Sequence, residues 1–124
     1  MRKKLVIEHI EMHDQQLWLI STEPPFSLEG AKAKHYMLTD SDHLAFIYIL
    51  EVNDEFVYVT IPQSLWKDLK AVLSGEFRVF LQSGTMRLEL PQFKEELAYL
   101  LENIEGNANY GEEMEKAVKE IFLT

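Results

Sequence analysis

Leu44-Ala45-Phe46-Ile47-Tyr48-Ile49-Leu50-Glu51-Val52-Asn53-Asp54-Glu55-Phe56-Val57-Tyr58-Val59-Thr60-Ile61 is the stretch on which the fold turns. β-branched and aromatic residues crowd it, and its apolar residues do not follow helical spacing. Asn53-Asp54-Glu55 separates two apolar runs, so the segment reads as a hairpin of Leu44 to Leu50 and Phe56 to Ile61. Along the first run Phe46 and Tyr48 point one way, and Ala45, Ile47 and Ile49 the other. Phe56 and Tyr58 likewise oppose Val57, Val59 and Ile61, so both faces of the hairpin need cover. Helices of the same chain can supply it, and the aromatics then belong to the core. Alternatively Phe46, Tyr48, Phe56 and Tyr58 form an interaction surface on which a second copy packs, giving a homodimer.

Upstream, Leu5 to Met12 reads as one strand and Leu17 to Ile20 as another, joined through His13-Asp14-Gln15-Gln16. Glu23-Pro24-Pro25 and Glu29-Gly30-Ala31-Lys32 mark residues 22 to 34 as a surface loop. His35 to Leu38 is then a short strand and Asp40-Ser41-Asp42 a turn. Downstream of Pro62 the apolar period becomes helical, with Leu65, Trp66, Leu69, Val72 and Leu73 on one stripe. Pro62 suits the first helical turn, and Gly75 suits a left-handed position just past the end. Phe77 to Gln82 and Thr85 to Leu90 flank Ser83-Gly84 as a tight hairpin. A second helix carries Phe93, Leu97, Leu100, Leu101 and Ile104, and a third carries Met114, Ala117, Val118, Ile121 and Phe122. This order predicts a single α+β domain over residues 1–124: a largely antiparallel sheet of about six to seven strands with three helices, two of them C-terminal.

The length fits one domain, since 124 residues leave no room for a second core of ordinary size. Lys+Arg 12 against Asp+Glu 21 gives a net charge of -9, which repels a phosphate backbone and argues against nucleic-acid partners. Residues 89 to 124 hold nine Glu and three Lys, or -6 of that total. Such a run is ordinarily a solvated face, although it can also steer a basic protein partner. No apolar run approaches the roughly 20 residues that span a bilayer, so no membrane partner is expected. The chain has no cysteine, which removes disulfides, thiolate metal sites and thiol nucleophiles, and agrees with a cytoplasmic location.

Few residues are arranged for chemistry. Asp40 and Asp42 stand two apart, close enough to share a hard cation, with His43 beside them. The same residue types also hydrogen-bond a turn between strands, and that is the simpler reading. His9, Glu11 and His13 share one strand face, but residues four apart in a strand are about 13 Å apart, too far for both imidazoles to reach one zinc at about 2 Å. Gly106-Asn107-Ala108-Asn109-Tyr110-Gly111 precedes a helix as a phosphate loop does, yet Glu112 and Glu113 already occupy that helix start and would repel phosphate. The loop reads instead as a Gly106 cap on one helix and Asn109 or Gly111 opening the next. Tyr110 then packs between the two helices, and with Asn107 and Asn109 it can form a recognition surface. No catalytic residue, cofactor site or metal site is assigned.

At Asp40-Ser41-Asp42-His43-Leu44-Ala45-Phe46-Ile47-Tyr48 and at Asn103-Ile104-Glu105-Gly106-Asn107-Ala108-Asn109-Tyr110-Gly111-Glu112-Glu113 the chain resembles the YjbL-like family of small proteins from Bacillus and related bacteria. The resemblance covers about residues 40 to 124, and residues 1 to 35 match nothing. It implies a bacterial cytosolic protein and transfers no catalytic residue. Together the residues and the resemblance point to a non-enzymatic protein-interaction module. The alternative is a small-ligand-binding protein or metal-assisted enzyme with its site near Asp40, Asp42 and His43.

Overall fold

The computed structural model describes residues 3–123; Met1, Arg2 and Thr124, included in the single-domain reading, lie outside the described residues. The hairpin forms as its sequence dictates. Strands β5 (Ala45–Val52) and β6 (Glu55–Pro62) pair antiparallel with Phe46 opposite Ile61 and Tyr48 opposite Val59. Asn53 and Asp54 both take left-handed backbone (φ 50° and 64°), the two-residue turn whose twist suits a hairpin. Strand β4 (Lys32–Asp40) joins the free side of β5, and β1 (Lys3–Val6) runs parallel to β6. The first sheet is therefore ordered β1-β6-β5-β4, with β4 at its edge.

A second sheet holds β2 (His9–His13), β3 (Gln16–Ser21), β7 (Arg78–Ser83) and β8 (Met86–Glu89), in that spatial order. Within it β3 and β7 run parallel, with Leu17 opposite Val79 and Leu19 opposite Leu81. The α+β class stands. The expected single, largely antiparallel sheet of six to seven strands is corrected: among the described residues there are eight strands in two mixed sheets of four. The expected strand from Leu5 to Met12 is two strands in different sheets. The chain changes sheet between Ile7, whose N–H donates to the Thr60 carbonyl at 2.9 Å, and Glu8, whose N–H donates to the Ile20 carbonyl at 2.8 Å. The expected loop at residues 22 to 34 ends at Ala31, because β4 begins at Lys32 rather than His35.

The inner faces of both sheets share one core with the helices. Helix α1 (Trp66–Ser74) follows a single 3-10 turn at Gln63–Leu65, so Pro62 ends a strand and does not open the helix. Helix α2 (Phe93–Ile104) and helix α3 (Glu112–Phe122) bury the apolar stripes expected of them, except that Ile121 and Phe122 are only partly covered. Gly75 corrects a second expectation: it is extended (φ −134°, ψ 180°), not left-handed. Its requirement is space, since a Cβ there would lie 2.9 Å from the Phe77 ring. The Lys94 ammonium donates to its carbonyl at 3.1 Å.

Two side chains on β5 dock all three helices. Phe46 stacks on Trp66 of α1 at 4.2 Å between ring centroids and meets Phe122 of α3 at 6.0 Å. Tyr48 stacks on Phe93 of α2 at 5.9 Å, and its hydroxyl donates to the Pro91 carbonyl at 2.9 Å. The four-aromatic face proposed from sequence is thus divided. Phe46 and Tyr48 point inward and are 0% exposed, while Phe56 and Tyr58, one residue out of phase with Val57 and Val59, project from the opposite face.

Phe46→Ala and Trp66→Ala should each destabilise the domain by about 3–5 kcal/mol in chemical denaturation. Because the rings share one stack, the double variant should lose less than the sum of the two. Additive losses would show that the two rings do not support each other.

Candidate functional site

A cleft of about 590 Å³ follows the edge strand β4. Leu38, Ile47 and Tyr58 contribute to it from the outer face of the first sheet, and Glu96, Tyr99 and Asn103 contribute from α2. Tyr36, Asp40 and Asp42 come from β4 and the turn after it, and Tyr110 comes from the loop between α2 and α3. Four tyrosines therefore meet in one depression. Tyr36 and Tyr99 are 55% and 66% exposed, high values for large aromatic rings in a chain with a well-filled core. Tyr99 lies off the buried stripe of α2, between Leu97 and Leu100, and so turns outward. A second depression of about 410 Å³ shares Tyr36, Leu38 and Tyr58 with the first and continues past Ile49 and Phe56 to Lys34 and His35.

The shape of this edge depends on an irregularity in β4. Its register with β5 shifts between Ala33 and Met37, and His35 takes a positive φ of 54°. From Met37 to Asp40 the pairing is regular again, with Met37 opposite Tyr48 and Asp40 opposite Ala45. Burial pushes the Tyr48 phenol well above its ordinary value, with a hydrogen bond from the His35 backbone working the other way.

Asp40 and His43 do come together. The His43 Nδ1 lies 2.9 Å from Asp40 Oδ2, the His43 backbone N–H donates to Oδ1 at 3.3 Å, and the Lys4 ammonium lies 3.8 Å from Oδ2. Burial raises the Asp40 carboxyl, but hydrogen bonds from the His43 ring and backbone, with the charges of His43 and Lys4, outweigh it and hold the group below its ordinary value. Asp42 joins none of these contacts and is exposed on the cleft wall. Elsewhere, the Glu11 carboxylate bridges His9 Nε2 at 3.1 Å and His13 Nε2 at 3.0 Å on the exposed strand β2. Hydrogen bonds from His13 and then His9 lower the Glu11 carboxyl. Among the described residues, no group of three His, Asp or Glu side chains is placed to hold a metal ion.

The loop after α2 is built as a connection. Gly106 is left-handed (φ 71°), the Asn109 N–H donates to Asn107 Oδ1 at 3.0 Å, and Gly111 (φ 94°) precedes α3 in a region few other residues adopt. Tyr110 is half-buried against the core and lines the cleft, and Asn109 is exposed beside it. Glu112, Glu113 and Glu115 occupy the first turn of α3, where carboxylates offset the helix dipole.

A family model described as a family of unknown function, UPF0738, matches residues 5–122. The chain belongs to the UPF0738 family. Its kinship therefore extends through the N-terminal strands that the sequence resemblance left out. A UPF0738 protein of Geobacillus sp. (strain WCH70) is 62% identical over 124 residues and covers the whole of both chains. One from Geobacillus kaustophilus is 49% identical over 99% of this chain and 98% of its own, and one from Bacillus cytotoxicus is 39% identical over 99% of this chain and all of its own. No solved structure matches the chain.

The Asp40 contacts set a pH dependence. A carboxyl held below its ordinary 3.8 stabilises the fold above that value and loses the contribution as pH falls through the lowered one. In carbon-detected NMR titration Asp40 should titrate below 3.8, and His43→Ala should move its midpoint upward. An unmoved midpoint would show that His43 does not hold the carboxylate.

Proposed function

We propose that this UPF0738 protein is a non-enzymatic interaction module of the bacterial cytoplasm and that the tyrosine-lined cleft along β4 is its contact surface. The supporting observation is the convergence of tyrosines from three separate elements on one depression: exposed Tyr36 of β4 and Tyr99 of α2, and half-buried Tyr110 of the loop before α3. Tyrosine gives rigid contact area with a polar tip, which is why it is enriched where proteins meet. Of the carboxylates at the cleft, Asp40 is already engaged, since both its oxygens are met by His43. The reading of Asp40, Asp42 and His43 as a ligand or metal-assisted site leaves His43 only Nε2 to offer, since Nδ1 is held by Asp40.

A second reading puts another copy of the chain on the outer face of the first sheet. It is favoured by Phe56 and Val6, which are 53% and 50% exposed on that face. Phe46 and Tyr48 take no part in such a dimer, because they lie beneath the helices.

Affinity capture from the lysate of a Bacillus or Geobacillus species tests the module. The wild-type chain should retain a specific protein that the folded double variant Tyr36→Ala/Tyr99→Ala releases. Equal retention by the variant would remove the cleft from the interaction, and no specific retention by the wild type would count against the module itself.

A further inference from the structure

The charge around the cleft is one-sided. Asp40, Asp42 and Glu96 line it from three positions, and among the described residues no lysine or arginine does. Asp40 is paired with His43 and Lys4, so the charges of Asp42 and Glu96 are left to face whatever enters. Beyond Tyr36 the lining changes to Lys34 and His35 in the adjoining depression. The carboxylates therefore lie at Asp40, in the turn after it and on α2, away from Lys34 and His35, and the regular part of the edge strand, Met37–Asp40, runs up to them. Four strand residues extend about 13 Å, enough to match two outward side chains of an extended peptide two residues apart, about 7 Å from each other.

Resting on the interaction module argued above, we infer that the cleft receives an extended segment of a partner protein bearing alternate lysine or arginine residues, laid along the Met37–Asp40 edge of β4. Its cations sit over the exposed faces of Tyr36 and Tyr99 and toward Asp42 and Glu96, and its intervening apolar side chains meet Leu38 and Ile47. Tyrosine faces attract ammonium and guanidinium groups, and an edge strand offers the backbone groups that an added strand needs. The bulge at His35 stops such pairing at Met37, so the contact is short and its specificity comes from the side chains. A second copy of this chain carries a net charge of -9 and meets the acidic cleft with repulsion.

Fluorescence anisotropy with three labelled peptides tests the inference: one alternating lysine and leucine, one with every lysine replaced by glutamate, and one with every lysine replaced by serine. The lysine peptide should bind, more weakly at high salt, and the glutamate peptide should not. Asp42→Asn/Glu96→Gln and Tyr36→Ala/Tyr99→Ala should each weaken binding by at least about fivefold. All four positions are at the surface, and unchanged thermal melting confirms that the variants fold. Equal binding of the three peptides, no binding of any, or indifference to Asp42→Asn/Glu96→Gln overturns the cationic segment. If no peptide binds while lysate capture still depends on Tyr36 and Tyr99, the module stands and this inference falls. If capture ignores those tyrosines, the reading beneath it falls as well. Sedimentation velocity showing a dimer that Tyr36→Glu dissociates would place a second copy in the cleft instead.

Discussion

The contact of β5 with the helices is the constraint on which the other elements depend. Phe46 and Tyr48 are two residues apart on one strand face, and between them they touch an aromatic residue of every helix: Trp66 of α1, Phe122 of α3 and Phe93 of α2. A stacked pair of large rings removes several hundred Å² from water, at about 25 cal/mol per Å². Burying Tyr48 brings a cost with it, because a hydroxyl without partners in the core is expensive. The Pro91 carbonyl accepts its proton just before α2 begins.

The outer face of the same sheet shows a different balance. Ile47 and Ile49 are 4% and 5% exposed, flanked by Leu38, Thr60 and Tyr58 in register, with Phe56 next along β6. Their own neighbours shelter them, and the tyrosine and phenylalanine rings remain partly in water. The second sheet resolves the same problem internally. On its outer face Trp18 stacks on Phe80 at 4.6 Å, with Arg87 over the first ring and Arg78 over the second. Arg78 also donates twice to Glu89, at 2.8 and 3.1 Å. That surface is closed by its own cations, whereas the rings around β4 have carboxylates beside them and, among the described residues, no lysine or arginine lining the cleft.

Local patterning made most of the elements legible, including the β5–β6 hairpin, the β7–β8 hairpin and the three helices, because period and turn residues are local signals. Strand partners were not legible, because the parallel pairs β1–β6 and β3–β7 join segments more than fifty residues apart. One break did leave a trace. Leu5 and Ile7 put the apolar phase on odd positions, and Ile10 and Met12, which pair with Leu19 and Leu17, put it on even ones. One continuous strand cannot bury both phases on one side, so the slip at Glu8 marks the passage between sheets. Of the residues singled out in sequence, Tyr58, Tyr110, Asp40 and Asp42 line the cleft, while Asn107 and Asn109 shape the loop beside it. Tyr36, Tyr99 and Glu96 were missed. Each sits off an apolar stripe, and only the packing of α2 beside β4 brings them together.

The acidity of the C-terminal third divides the same way. Glu112, Glu113 and Glu115 offset the dipole of α3, which explains them without any partner. The cleft draws its charge from single carboxylates on separate elements, Asp40 and Asp42 after β4 and Glu96 on α2. The long acidic run and the carboxylates of the cleft are therefore different things in this chain, although both contribute to the net charge of -9. The long-range field of that charge attracts cations, and it is screened over about 10 Å at ordinary salt. In the proposed complex, discrimination at closer range would fall to the tyrosines and to the few carboxylates held among them. Asp40 stands apart from the other two carboxylates, because its oxygens already hold the turn after β4 through His43.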